Sequence, residues 1–403
     1  MSVQEEIRCE IHFDKMFKVM VTSMWLSRSH PWVPRNIKWV CQFVIMHGLF
    51  FFTYCLLIYS TICHDLKNGD IIQACANGTL SVIFNVISIK YMVLVYHQTQ
   101  FRTIIEKIKK DYVLTKYLPF EEYKVVLAYA KKGRNIDKIW LRIGICGAGL
   151  FPVKSIVLTL YYAVIGEFRL VPLYNITYPE VVEIKKNEFF VFLILYSLFS
   201  FYAFYSFIIY LSFSPLGPIL TLHACGQLEL IERRILKTFT ESNSTDDAVQ
   251  NLKLAAKDLT ETYNFVEKVN TCLQMYHEFI FKAIAIIMPI TFYQVIEASK
   301  KGVISFEFIA LLIGAAALCN IPCYYGDLLL QKSEDVRMAL YSCGWETQCE
   351  RESRSLIFLL LSRVSRPVAM HTVFRNVCLD GLTDVILHLQ AYGLFNLLNA
   401  VWN

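Results

Sequence analysis

The chain has 403 residues, of which 55% are hydrophobic, 14% aromatic and only 18% charged, with a mean hydropathy of +0.42 and a formal net charge of +5. That balance excludes an ordinary soluble domain, which carries more charge and does not expose unbroken apolar runs. So modest a positive charge also argues against a nucleic-acid partner, while the aromatic share suits interface belts or a ligand cavity.

The first stretch, MSVQEEIRCEIHFDKMFK, mixes acids and bases and has neither an apolar h-region nor a small-residue cleavage site. It does not read as a secretory signal, so a first membrane helix is expected to direct targeting. A helix of about twenty apolar residues crosses a bilayer core. Six runs meet that length: Ile37–Cys63, Ile71–His97, Ile139–Ile165, Phe189–Phe213, Phe279–Ile296 and Phe306–Tyr325. A seventh runs from about Val385 to Trp402. The run SLIFLLLS, Ser355–Ser362, is too short to span and is bounded by Arg354 and Arg363. It predicts a helix packed on other protein at the membrane edge. The expected fold class is therefore an all-α membrane protein with seven transmembrane helices and a short extra cytoplasmic helix before the last span.

Lysine and arginine alternate along the connections, with 27 in the odd-numbered segments (the N-terminal stretch and every second loop) against 6 in the others. The positive-inside rule then puts the N-terminus in the cytoplasm and, after seven crossings, the C-terminus outside. Asn175, in NIT, falls in the second external loop, where a glycan is expected. The Asn243 sequon falls inside and should stay bare, and the Asn77 sequon lies too close to a helix for use.

This orientation is opposite to that of a G-protein-coupled receptor, and the DRY and NPxxY signatures are missing. No P-loop, HExxH or Ser/His/Asp arrangement appears, and no internal repeat of the transporter kind. An enzyme and a transporter are both disfavoured, and no cofactor is expected. The thirteen cysteines mostly sit in apolar runs and read as buried free thiols. There is no CxxC or Cys/His cluster with zinc spacing, so no metal site is expected. Cys63 and Cys75 flank one short loop and can pair if that loop faces an oxidising side.

More specific order lies from Gly326 onward. Gly326-Asp327 is followed by ALYSCGWET with Tyr341 and Trp345, by SLIFLLLSRVSRPVAM with Arg366-Pro367, and by AYGLFNLLNAV. This order resembles the insect odorant receptors, a seven-helix family of inverted topology. The last helix departs from the family's usual Tyr-Phe pair, reading Leu394-Phe395. The Ser214–Glu278 loop is shorter than that of the family's obligate co-receptor, so the chain looks like a ligand-specific subunit. Gustatory receptors share the architecture but usually close on a Thr-Tyr…Gln-Phe pattern that is missing here.

The resemblance implies an odorant-gated, non-selective cation channel in the plasma membrane of olfactory sensory neurons. It implies a tetramer with the co-receptor, passing monovalent and divalent cations. Its organisation would be a cytoplasmic segment 1–36, a six-helix bundle with ligand cavity and cytoplasmic helical extensions 37–325, an anchor helix region 326–367 and a pore-lining last helix 368–403. Carrying over the family's last-helix pattern puts Leu397 and Val401 at the gate, with Asn396 nearest the pore and Asn399 on a flank. A gustatory-type channel and a multi-span binding or scaffold protein without a pore remain the alternatives.

The implied cavity lies in the outer half of the bundle. Depth along the spans then selects Ile87, Tyr91, Phe151, Lys154, Ser155, Phe190, Ile194, Ser197, Phe292, Phe308 and Leu312 as ligand contacts. The fourth span carries eleven aromatic residues among 23, from Phe189 to Leu211, suited either to gripping a volatile molecule or to helix packing and lipid contact. Lys154 either hydrogen-bonds a ligand oxygen, snorkels, or pairs with Glu297 or Glu307. The first reading predicts that Lys154→Met weakens responses to oxygenated ligands selectively. Snorkelling suffices for Lys90 and Lys282 nearer the inner face. Pro152 and Pro289 predict kinks in the third and fifth spans. Lys332, Asp335 and Arg337, with Tyr341 and Trp345 four apart, suggest a docked amphipathic helix. Asp380, Asp384 and His388 form one helical stripe, which either draws cations to the inner vestibule or pairs with Arg363, Arg366 or Arg375.

Overall fold

The computed structural model describes residues 10–241, 245–302, 304–347, 351–381 and 383. Two short helices come first, α1 (Phe13–Met16) and α2 (Lys18–Leu26). Their buried side, Phe13, Phe17, Met20 and Met24, packs into the main core. No local side chain caps α2; Asp137, far along the chain, accepts from the Val19 and Met20 amides at 3.0 Å each. A carboxylate there satisfies two orphan N–H groups and matches the positive end of the helix dipole.

Helix α3 (Ile37–Tyr59) starts at Asn36, whose side chain accepts from the Trp39 amide at 3.0 Å. It runs on as a π-helical turn over Ser60–Asp65, and Gly69 turns the chain at φ +72°. Asp70 caps α4 (Ile71–Tyr96) by accepting from Gln73 at 3.1 Å. Then follow α5 (Gln98–Thr115), α6 (Phe120–Ile165), α7 (Glu180–Glu183) and α8 (Phe189–Phe213). Gly166, at φ +86°, ends α6 as a left-handed cap. The long hairpin of α9 (Leu216–Glu241) and α10 (Thr245–Lys300) leads to α11 (Phe306–Ser342) and α12 (Arg351–Val364). Among the described residues six helices are long and apolar enough to cross a membrane. Large apolar side chains stand exposed along their outward faces, for example Val44 and Phe52 on α3 and Val157 and Leu160 on α6. The candidate seventh span lies outside the described residues.

Three of the expected spans belong to helices much longer than their apolar runs. The charged stretch before Ile139 continues the same helix, giving α6 its 46 residues, and α10 reaches 56. The extensions are amphipathic: on the neighbouring α5, Phe101, Ile104, Ile105 and Ile108 fall on one buried face. Charged pairs knit this hairpin end together. Arg234 of α9 contacts Glu122 of α6 and Asp258 of α10 at 2.7 Å each. Asp111 of α5 lies 3.1 Å from both Lys107 and buried His223. Burial alone would raise the Asp111 carboxyl, but the His223 hydrogen bond and the nearby Lys107 ammonium outweigh it and hold it low.

Several expectations change here. Lys90 does not snorkel: it is wholly buried, its Nζ donating to Ser214 Oγ at 2.7 Å and lying 4.4 Å from the Tyr210 ring centroid. Helix α4 packs on both α8 and α10, so the side chain is enclosed by protein instead of reaching a membrane interface. Lys282 is exposed and pairs with Glu278 at 3.0 Å. Cys63 and Cys75 are separate free thiols, one exposed and one buried. Lys332 does bond Asp335 at 3.0 Å, but α11 ends at Ser342 and Gly344 turns at φ +87°. Trp345 therefore sits in a separate 3-10 turn against Phe358, off the stripe that holds Tyr341.

Candidate functional site

An almost wholly apolar cavity of about 140 Å³ lies between α4, α6, α8, α10 and α11. Its existence follows from missing side chains. Gly144, Gly147 and Ala148 of α6, Ala203 of α8, and Ala310 and Gly314 of α11 line it. A Cβ built at Gly147 meets nothing within 4 Å. Larger groups, including Val86 and Ile87 of α4 and Ile284 of α10, complete the wall. Apolar cavities of about 150 Å³ stay dry and accept a single-ring apolar guest, so this one offers room for a small, mainly apolar molecule.

Leu80, Phe151 and Tyr174 line both this cavity and a polar cleft of about 410 Å³ above it, and so form a shared roof. Phe151 and Tyr174 meet edge to face at 5.0 Å, and Tyr174 stands perpendicular to Tyr202. Tyr174 comes from the irregular loop after α6, whose position is fixed by hydrogen bonds. Ser155 Oγ donates to the Val171 carbonyl at 2.7 Å, and the Thr177 amide donates to Ser60 Oγ at 3.0 Å. Buried Asn77 donates to Asp65 at 2.8 Å and to the Asn175 carbonyl at 3.3 Å. The π-helical turn thus carries the polar groups that hold the roof loop. Asn175 itself is exposed, and its amide donates to Gln73 Oε1 at 3.1 Å.

The expected ligand contacts divide by position. Ile87 and Phe151 line the cavity. Lys154, Ser155 and Phe308 line the cleft with Phe151. Tyr91 is buried elsewhere, packed with Phe43 and His47. Phe190 and Ile194 are 77% and 67% exposed, and Ser197 is exposed beside them. A helix apolar on every side does not reveal from sequence which face turns inward. Phe292 is 46% exposed, and Leu312 adjoins the lining residue Leu311 without lining the cavity itself. Asp380 is exposed, whereas Asp384, Asn396, Leu397, Asn399 and Val401 lie outside the described residues.

What the sequence reading passed over is the set of small residues, together with Tyr202, Ser206 and Tyr210. The available signal was the two small-residue clusters, Cys146-Gly147-Ala148-Gly149 and Gly314-Ala315-Ala316-Ala317, each inside a span.

Lys154 forms an ion pair with Glu307 in the cleft, beyond the aromatic roof. Glu307 is 6% exposed, so Lys154→Met leaves a buried carboxylate without its cation. The expected loss of stability is about 1–3 kcal/mol, and adding Glu307→Gln should restore most of it. Thermal unfolding of the purified variants measures this; equal stability of the single and double variants would rule out the pairing role.

The described residues form an all-helical, multi-pass membrane protein with a small apolar cavity under an aromatic roof. The family model described as 7tm Odorant receptor matches residues 70–387, and the chain belongs to that family. Odorant receptor 10a of Drosophila melanogaster is 26% identical over 106 residues; the match spans 26% of this chain and 26% of that protein, about a quarter of the relative's length. The insect olfactory receptor OR5 from Machilis hrabei in complex with eugenol has a similar fold, with a TM-score of 0.77, 15% identity, and coverage of 97% of this chain and 99% of that one. A second structure of the same receptor matches with a TM-score of 0.71, again at 15% identity, over 94% and 96%. At this identity the likeness concerns the fold, and it agrees with the all-α membrane class expected from the runs.

Proposed function

We propose that this chain is the ligand-specific subunit of an odorant-gated, non-selective cation channel that works with a co-receptor in the plasma membrane of olfactory neurons. The observation that carries the reading is the apolar cavity of about 140 Å³ built from small residues on α6, α8 and α11. Its size and lining suit one small volatile molecule. The similar fold solved in complex with eugenol adds support. The polar cleft around Lys154, Glu307 and Arg169 would face outside, with the N-terminus in the cytoplasm and a glycan at exposed Asn175.

Binding would act by favouring the open arrangement over the closed one, which requires only a difference in affinity between the two. The last helix would line the conduction path, with Leu397 and Val401 at the gate, Asn396 and Asn399 beside them, and Asp380 and Asp384 attracting monovalent and divalent cations at the inner end. The hairpin-end bundle of α9, α10, α11 and α12 would be the assembly anchor. Whole-cell recording with and without the co-receptor tests the proposal. Odorant-evoked cation current only in co-expressing cells is expected. Ligand binding without current in either case would instead mark a membrane binding protein.

A further inference from the structure

Four hydroxyl-bearing side chains line the cavity: Tyr174, Tyr202, Ser206 and Tyr210. Tyr202 is satisfied, donating to the Leu80 carbonyl at 2.7 Å, and Tyr174 belongs to the roof. The other two differ. Ser206 Oγ and Tyr210 Oη are both buried and neither has a hydrogen-bond partner. Buried hydroxyls are nearly always paired, and each orphan costs free energy. A helical serine or threonine usually bonds the carbonyl four residues back. Ser212 of the same helix, Thr221 of α9 and Thr291 of α10 do so at 2.8, 3.0 and 2.8 Å. Ser206 does not. The other buried orphan hydroxyls among the described residues, on Thr79 and Ser88, do not line the cavity.

The two orphans are also placed together. They are four residues apart on α8, on one face, and long helical side chains lean back toward the preceding turn, here the turn of Ser206. The Tyr210 ring is held from two further sides. Trp140 meets it edge-on at 5.4 Å, and Lys90 Nζ, fixed by Ser214, stands over its face. The rest of the wall is hydrocarbon apart from the satisfied Tyr202 hydroxyl and the roof residue Tyr174, so the two buried orphan hydroxyls stand together on α8.

We infer that the cavity takes a ligand with an apolar body and one acceptor oxygen, a ketone, aldehyde or ester, whose oxygen receives hydrogen bonds from Ser206 and Tyr210. The inference rests on the cavity being the ligand site. A carbonyl oxygen has two lone pairs and no hydrogen of its own, so it can satisfy both hydroxyls at once. A hydrocarbon of the same skeleton fills the space but leaves both unpaired.

Dose–response recordings with a ketone and its matched hydrocarbon, in cells expressing the co-receptor, provide the test. Ser206→Ala and Tyr210→Phe should each raise the half-maximal ketone concentration about 10-fold, and leave the hydrocarbon response nearly unchanged. Both variants remove only an unpaired hydroxyl, and surface labelling verifies that they reach the membrane. Equal shifts for the two ligands, or no shift for either, would overturn the polar anchor while leaving the cavity as the site. Cavity-filling Gly147→Leu separates that outcome from failure of the site itself: if it leaves both responses intact, the ligand binds elsewhere and the anchor falls too.

Discussion

Gly147→Leu is expected to abolish the ligand response, raising the half-maximal concentration by about 100-fold or more, equivalent to about 2.8 kcal/mol of lost binding. The reason is space. Gly147 lines the cavity on α6, and a Cβ there meets no atom within 4 Å. An isobutyl group would enter that opening and occupy much of the about 140 Å³ that a guest needs. Glycine is also a poor residue inside a helix, so replacing it does not weaken α6 itself. The variant should therefore reach the surface and unfold at or above the wild-type temperature. Recording and thermal unfolding together check this. A normal response in a well-expressed variant would remove the cavity from the binding mechanism. The neighbouring position behaves differently: a Cβ at Gly144 would already come within 3.0 Å of Phe207, so enlargement there disturbs packing.

Gly326→Ala should be the most damaging alanine replacement among the described glycines. A Cβ on Gly326 would lie 1.8 Å from the Val377 carbonyl oxygen, a backbone atom that cannot swing away. The approach is close because the segment after α12 is tied down around it. Val377 donates to the Met370 carbonyl at 2.8 Å, and His371 and Asn376 form an isolated antiparallel bridge. Asn270 of α10 donates to the Ala369 carbonyl at 2.8 Å, and the Val368 amide donates to Ser333 Oγ of α11 at 2.9 Å. Alanine would gain about 1 kcal/mol of helix propensity. The displacement should cost about 3 kcal/mol or more, and current should fall with it if the last helix carries the pore. Thermal unfolding and recording of the variant measure both. Wild-type stability would show that helix and segment are not in contact at Gly326.

The glycine-acid pair at Gly326-Asp327 was legible as a family mark, but its physical cause was not. Nothing in the local sequence says that a carbonyl from residue 377 arrives there. Lys154 shows the same limit. Its depth marked it as a costly charge needing a partner, and Glu307 was one of two candidates, but only packing chose between Glu297 and Glu307. The orientation of α8 was not readable at all, because apolar residues surround it and no polar stripe reports the exposed face. That is why Phe190, Ile194 and Ser197 were placed inward by depth and stand outward in the structure.

By itself the sequence determined the membrane class, the six described spans to within a few residues at their apolar ends, and the short helix α12. These depend on local composition, on chain length against bilayer thickness and on contacts within one turn. Tertiary structure decided the cavity, its roof and its two orphan hydroxyls. A void is an absence shared by several helices, and it appears only when small residues distant in sequence meet with nothing between them. The open runs around Gly147 and Gly314 become a site because α6 and α11 pack with α8, and because a loop pinned by Ser155 and Asn77 brings Tyr174 over the top.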